Sequence, residues 1–406
     1  LNQPLAPLGP PFPLSVLTRL ADPVRHRFFP IDAERARVWA ERINGLRDFG
    51  GEEVLKRLED TVECLQSVEW NALGHFGIRY ILNWHLGNRL RLVELFKQEP
   101  ELEAISIRRP IIITGLFRTG TTFLHNVLAA DPANRVGKTW ELTYPVGRPR
   151  DLSGDARWRR WRGSHVVAMN HTMIPEQSEV HHVETDAYEE DFFLLENDMA
   201  ILELCVGLGD FGYGMRMLDW DMREPYEWHK RQLQLLWSHE SAERWLLKCP
   251  WHLWNLEALL HVYPDACVVQ THRSLPDTIG SQCSLTARTA SKFQQAVDLR
   301  EVGRFWLEYS RSGVDRGFEA RRAFPNACIH DVRLADLMSA PLETVQRIYE
   351  VFELPLRDDL LEAFAARIAA EPTAQLGEHE YDIADYDLTE AEIQDTFRDY
   401  QQQFDL

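Results

Sequence analysis

The sequence predicts an α/β fold, a central and mainly parallel sheet flanked by helices, with a helical extension ahead of it. Three observations carry this prediction. Short apolar runs of strand length stand at 110–114, 245–247, 267–270 and 327–330. Each is followed by a loop and then by a stretch with helical apolar spacing. Before residue 107 the apolar residues recur at helical spacing instead, over 32–43, 52–68 and 82–96. Strands that alternate with helices pair in parallel, because each crossover must pass over a face of the sheet.

Taken in order, residues 1–106 form the helical N-terminal extension and residues 107–406 the α/β domain. The chain starts proline-rich, without the basic region a signal peptide requires and without an initiator Met. After the strands, 291–324, 341–352 and 389–404 read as further amphipathic helices. No linker or internal repeat interrupts 107–406, and no stretch reaches the roughly 18 apolar residues of a membrane span. With 406 residues, 45% of them apolar, the chain can bury a large core.

The formal net charge of −19 disfavours nucleic acid as a partner. It also sets a condition: a site for an anionic small molecule must gather positive charge against this background. The six cysteines, Cys64, Cys205, Cys249, Cys267, Cys283 and Cys328, include no C-x-x-C pair. They read as reduced thiols rather than a disulfide framework or a zinc site, and the cytoplasm is the expected location.

The most specific segment runs from Ile111 through Gly115, Arg118, Thr119, Gly120, Thr121 and Thr122 into an apolar helix. Glycines five apart let successive N–H groups turn inward, and the helix N-terminus adds partial positive charge, which together make an anion cradle. The nucleoside-triphosphatase loop G-x-x-x-x-G-K-[ST] has the same glycine spacing. Here Thr121 holds the Lys position, and the cation stands three residues earlier as Arg118. Strand–G-x-x-R-T-G-T-T–helix resembles the 5′-phosphosulfate loop of the sulfotransferase superfamily that uses 3′-phosphoadenosine 5′-phosphosulfate (PAPS), in the form of its bacterial, mycobacterial-type branch. The resemblance implies a P-loop-like sulfotransferase fold. It also implies that Arg118, Thr119, Gly120, Thr121 and Thr122 hold the donor's 5′-phosphate, with Arg118 reaching the bridging oxygen.

A second signature follows about 150 residues later. The run 267–270 leads to Arg273, with Ser281 eight residues further on. Ser274 with Asp277 forms a possible capping box, and Pro276 suits the first turn of a helix. An Arg fork matches phosphate oxygens, and by resemblance Arg273 and Ser281 take the donor's 3′-phosphate.

Sulfuryl transfer needs cations for the leaving oxygen and the equatorial oxygens, and a base for the acceptor proton. It requires no metal. Lys248, in Lys248-Cys249-Pro250-Trp251-His252, resembles the family Lys beside the transferring group, while His252 reads as structural. The base is left among four residues. Glu189 and Glu190 resemble the Pro-Glu-Glu element of bacterial members, with Tyr188 in place of the Pro. On a helix the two would point about 100° apart, so one of them at most serves. Glu141 matches the basic Glu of tyrosylprotein-type enzymes, and His181 is the fourth candidate. The segment 377–381 resembles one that closes over the nucleotide in relatives.

These expectations amount to in-line transfer from PAPS, as co-substrate, to a hydroxyl of a small acceptor. The apolar stretch 192–217 suggests an apolar acceptor, lipid-like ones included. Two alternatives stay open: a P-loop-like phosphoryl-transfer enzyme (kinase or nucleoside triphosphatase), and a non-catalytic nucleotide-binding module. Nothing in the sequence sets the oligomeric state.

Overall fold

A computed structural model describes residue 10 and residues 14–174, 183–237, 242–370 and 382–406. His181 and the segment 377–381 lie outside the described residues. The centre is a five-stranded sheet in the order β2-β3-β1-β4-β5, with every neighbouring pair parallel. Its strands are β1 (Ile111–Gly115), β2 (Asn134–Val136), β3 (Arg244–Lys248), β4 (Cys267–His272) and β5 (Cys328–Arg333). Strands buried on both faces read as unbroken apolar runs, which is why β1, β3 and β4 were visible in the sequence; β5, mostly half-buried at the sheet edge, was visible only through the short run 327–330. β2 was not: it is a three-residue edge strand whose Asn134 and Arg135 are nonetheless buried. Asn134 Nδ2 donates to the Leu128 carbonyl at 2.9 Å, and Arg135 Nη2 to Glu141 Oε1 at 2.8 Å.

Side chains alternate across the sheet. Ile112, Leu247 and Val268 enter one core, shared with the helices Ala72–Gln98 and Leu299–Ala323. Ile111, Ile113, Leu246 and Val269 enter a second core, shared with the helices Thr121–Leu128, Pro341–Val351 and Asp358–Ala370. The first core also includes Ala36, Ala40, Leu58 and Leu86 from the N-terminal helices. A buried ion cluster ties the same region inward, with Arg57 Nη2 and Arg89 Nη1 each 2.6 Å from Asp198. Burial pushes the Asp198 carboxyl up to about 6, although both guanidiniums pull it down.

Three helices differ from expectation. The one predicted over 291–324 begins at Leu299, where the Asp298 side chain accepts from the Arg300 N–H. The one predicted over 82–96 begins at Ala72, where the Asn71 side chain accepts from the Gly74 N–H. Its first turns are mixed in polarity because they pack against the chain around Phe293, whose carbonyl lies 2.3 Å from where a Cβ on Gly74 would stand. The one predicted over 389–404 is two helices, Glu390–Thr396 and Arg398–Phe404, broken at Phe397.

Candidate active site

In a parallel sheet, ligands bind beyond the carboxyl ends of the strands. Here the ends of β1, β3 and β4 meet. After β1 the chain passes through Gly115 (φ 149°), Arg118 (φ 67°) and Gly120 (φ 88°) before the helix Thr121–Leu128. A Cβ on Gly115 would stand 2.5 Å from the Thr271 carbonyl oxygen on β4, so that position requires glycine. Arg118 has a Cβ and still adopts the left-handed conformation, a strain that persists only where the surroundings impose it. Thr119 holds the loop down: its hydroxyl donates to the Leu116 carbonyl at 2.7 Å and meets the Thr271 hydroxyl at 2.6 Å. Thr119 therefore offers a ligand its backbone, while its hydroxyl faces β4. Gly120 provides no side-chain cap for the following helix. The first-turn N–H groups, at Thr121 and Thr122, have no intrahelical acceptor, as at any helix start. That donor set fits an anion.

The two arginine signatures converge. Arg118 Nε donates to Ser281 Oγ at 3.2 Å, and Arg273 Nη1 donates to the Arg118 carbonyl at 3.1 Å. Arg273 follows β4 directly, and Ser281 lies on the helix Leu275–Ala290 with Pro276 in its first turn. The expected capping box does not form. Ser274 makes no side-chain cap, and Asp277 lies 3.8 Å from the Arg273 guanidinium.

Lys248 ends β3 with its side chain 1% exposed. Its Nζ is 2.6 Å from Glu190 Oε1 and 3.5 Å from Thr122 Oγ1, so the first turn of the loop helix, β3 and the acidic segment meet at this ammonium. Glu189 and Glu190 are not helical; they precede the helix Phe192–Glu196. The segment is pinned to the region of β2 by the Glu189 N–H on the Gly137 carbonyl and by a bridge from Lys138 to Tyr188. Glu189 Oε1 accepts the Glu190 N–H at 2.8 Å. Glu141 is engaged elsewhere, with Arg135 and with the Lys138 N–H at 2.9 Å.

Glu203 went unrecognised in the sequence. It is the one acid within Leu202-Glu-Leu-Cys-Val, and it lies near Glu189 and Glu196. Burial, then the neighbouring Glu196 and Glu189, push its carboxyl up to about 8. A lone acid in an apolar run is the signal that points to it. The native protein retains a proton there that the unfolded chain, titrating near 4.5, gives up. Stability from this group is thus complete below about pH 4.5 and declines as pH rises through about 8. Glu203→Gln, which mimics the protonated acid, is expected to melt several degrees above the parent at pH 8 and at the same temperature at pH 5. Equal melting temperatures at pH 8 would refute the retained proton.

No curated protein matches the chain. A family model described as Sulfotransferase family matches residues 110–358, from the start of the sheet past its last strand. The structure is similar to that of sulfotransferase STF1 from Mycobacterium tuberculosis H37Rv, with a TM-score of 0.78 and 31% identity over 90% of this chain and 98% of that one. It is also similar to sulfotransferase STF9 from Mycobacterium avium, with a TM-score of 0.80 and 28% identity over 93% of this chain and 97% of that one. Among the described residues no helix is long and apolar enough to cross a membrane. With its glycine loop, its parallel sheet and these likenesses agreeing, the chain belongs to the sulfotransferase family.

Proposed function

We propose that the protein transfers the sulfuryl group of PAPS to a hydroxyl of a small, apolar acceptor. The observation that carries this reading is the convergence of Arg273 and Ser281 on Arg118, each within hydrogen-bond distance of it, in a chain of net charge −19. One bisphosphate can engage both grips at once. The donor brings an activated sulfuryl group, and the chain's own residues do the rest. Backbone N–H groups over 119–122 and the Arg118 guanidinium take the 5′-phosphate, while Arg273 and Ser281 take the 3′-phosphate.

In the transfer, the acceptor oxygen forms a bond to sulfur as the bond from sulfur to the bridging oxygen breaks. The negative charge that develops on the leaving phosphate is met by Arg118, and that on the sulfuryl oxygens by Lys248. The acceptor proton goes to Glu190, the carboxylate in contact with Lys248. Phe117 and Phe192, both half-buried and within two residues of Arg118 and Glu190, are the apolar side chains we assign to the acceptor side. All six cysteines are free, which suits a reducing compartment such as the cytoplasm.

Calorimetry tests the reading. Adenosine 3′,5′-bisphosphate is expected to bind more tightly than ATP, and Arg273→Ala to weaken the bisphosphate by about 10–100-fold, as loss of a charge-assisted hydrogen bond of 1.5–3 kcal/mol does. Equal affinities, untouched by the substitution, would overturn it. A labelled-donor screen over apolar alcohols and phenols then identifies the acceptor.

A further inference from the structure

The Lys-x-Pro-x-His spacing and the residue after Glu190 are not used by the mechanism above, and the structure joins them. Asp191 is 1% exposed. Its Oδ1 accepts the backbone N–H of Lys248 at 3.0 Å. Its Oδ2 lies 2.8 Å from His229 Nε2 and 2.8 Å from His252 Nε2. The far nitrogens of both rings are also engaged: His229 Nδ1 lies 2.7 Å from the Tyr263 hydroxyl, and His252 Nδ1 lies 2.7 Å from the Tyr226 hydroxyl. Both histidines and both tyrosines are essentially fully buried.

The protons in this network can be assigned from its chemistry. An ionised carboxylate only accepts, so both Nε2 atoms carry hydrogen, and a neutral His229 accepts at Nδ1 from the Tyr263 hydroxyl. Burial alone would raise the Asp191 carboxyl, but the two imidazoles hold it well below the usual carboxylate range. Burial lowers His229, which keeps that ring neutral as the assignment requires. Every strong donor and acceptor in the cluster thereby has a partner, in a region where an unmatched one is costly.

The anchors come from separate elements. Tyr226 and His229 lie on the helix Arg223–Trp237, and His252 on the short helix Pro250–Asn255. Tyr263 follows the helix Leu256–Val262. The clamped carboxylate is one residue from Glu190 and bonded to the main chain of Lys248.

We propose that Asp191 is a positioning residue that fixes Glu190 and Lys248 relative to each other, with His229 and His252 as its clamps. The Lys-x-Pro-x-His spacing then has a physical reason: the turn at Pro250 returns His252 to the carboxylate that Lys248's own N–H contacts. The inference rests on the proposed roles of Lys248 and Glu190, so its test runs beside Lys248→Met and Glu190→Gln. Asp191→Asn keeps size but puts an amide donor against either the two ring N–H groups or the Lys248 N–H, and so loosens the clamp. A displacement of about 1 Å in reacting groups can cost about 100-fold in rate.

At saturating donor and acceptor, folded Asp191→Asn is expected to lose about 30–100-fold in kcat, with its affinity for adenosine 3′,5′-bisphosphate within threefold of the parent. A merely structural role would lower the melting temperature and leave the kcat of folded protein intact. A kcat within threefold of the parent would therefore overturn the inference. If Asp191→Asn does not fold, His252→Gln decides: a tenfold loss in kcat with bisphosphate affinity kept supports the clamp, and a loss under twofold overturns it. Full activity in Lys248→Met and Glu190→Gln would instead sink the catalytic reading on which the inference depends.

Discussion

Lys248→Met is expected to lower kcat by about a thousandfold while leaving the affinity for adenosine 3′,5′-bisphosphate within a few-fold. The asymmetry follows from where the ammonium sits. The residues proposed to hold the two phosphates are Arg118, Arg273, Ser281 and the loop backbone, and methionine at 248 removes none of them. What it removes is a buried cation 3.5 Å from Thr122 Oγ1 and 2.6 Å from Glu190. Charge placed where it develops in a water-poor site contributes on the order of 100–1,000-fold per donor, because the site needs no reorganisation at the moment of reaction. Here the loss also leaves Glu190, whose side chain is 16% exposed, without its cation, so the upper end of that range is expected. Single-turnover measurement with labelled donor separates the chemical step from binding. A variant impaired only in nucleotide affinity would make Lys248 a binding residue and remove it from the transition state.

The parts of this site legible in the sequence were those that a backbone conformation dictates. Gly115 and Gly120 flank the loop because of a close approach and a positive φ, and that need appears directly as glycine spacing. β1 and β4 appear as runs of β-branched residues because both their faces are buried. Arg273 and Ser281 were legible because a strand end and two helical turns fix their separation. Long-range partnership was not legible. Nothing in the local sequence shows that Glu141 answers Arg135, or that Asp191 is met by rings from two other elements. Treating Glu189 and Glu190 as helical followed from the apolar run behind them. A bridge to Lys138 and a hydrogen bond to Gly137 override that local preference.

Glu190→Gln is expected to reduce kcat by about 100–1,000-fold at neutral pH, with donor affinity little changed. A general base contributes roughly 100–10,000-fold, and glutamine keeps the shape and a hydrogen bond to Lys248 while losing the capacity to take a proton. The comparison with Glu141→Gln is what gives the result its force. Glu141 is buried, paired with Arg135 and bonded to the Lys138 N–H, so its neutralisation leaves a buried guanidinium without its counter-charge. That change is expected to lower stability by about 1–3 kcal/mol while kcat of the folded protein stays within about threefold. The two substitutions thus separate along different axes, rate for one and melting temperature for the other. The reverse pattern, an undiminished kcat in Glu190→Gln and a kcat lowered about 100-fold or more in a fully stable Glu141→Gln, would move the base to Glu141. It would also leave the 2.6 Å contact between Lys248 and Glu190 as an ion pair that only orients the cation.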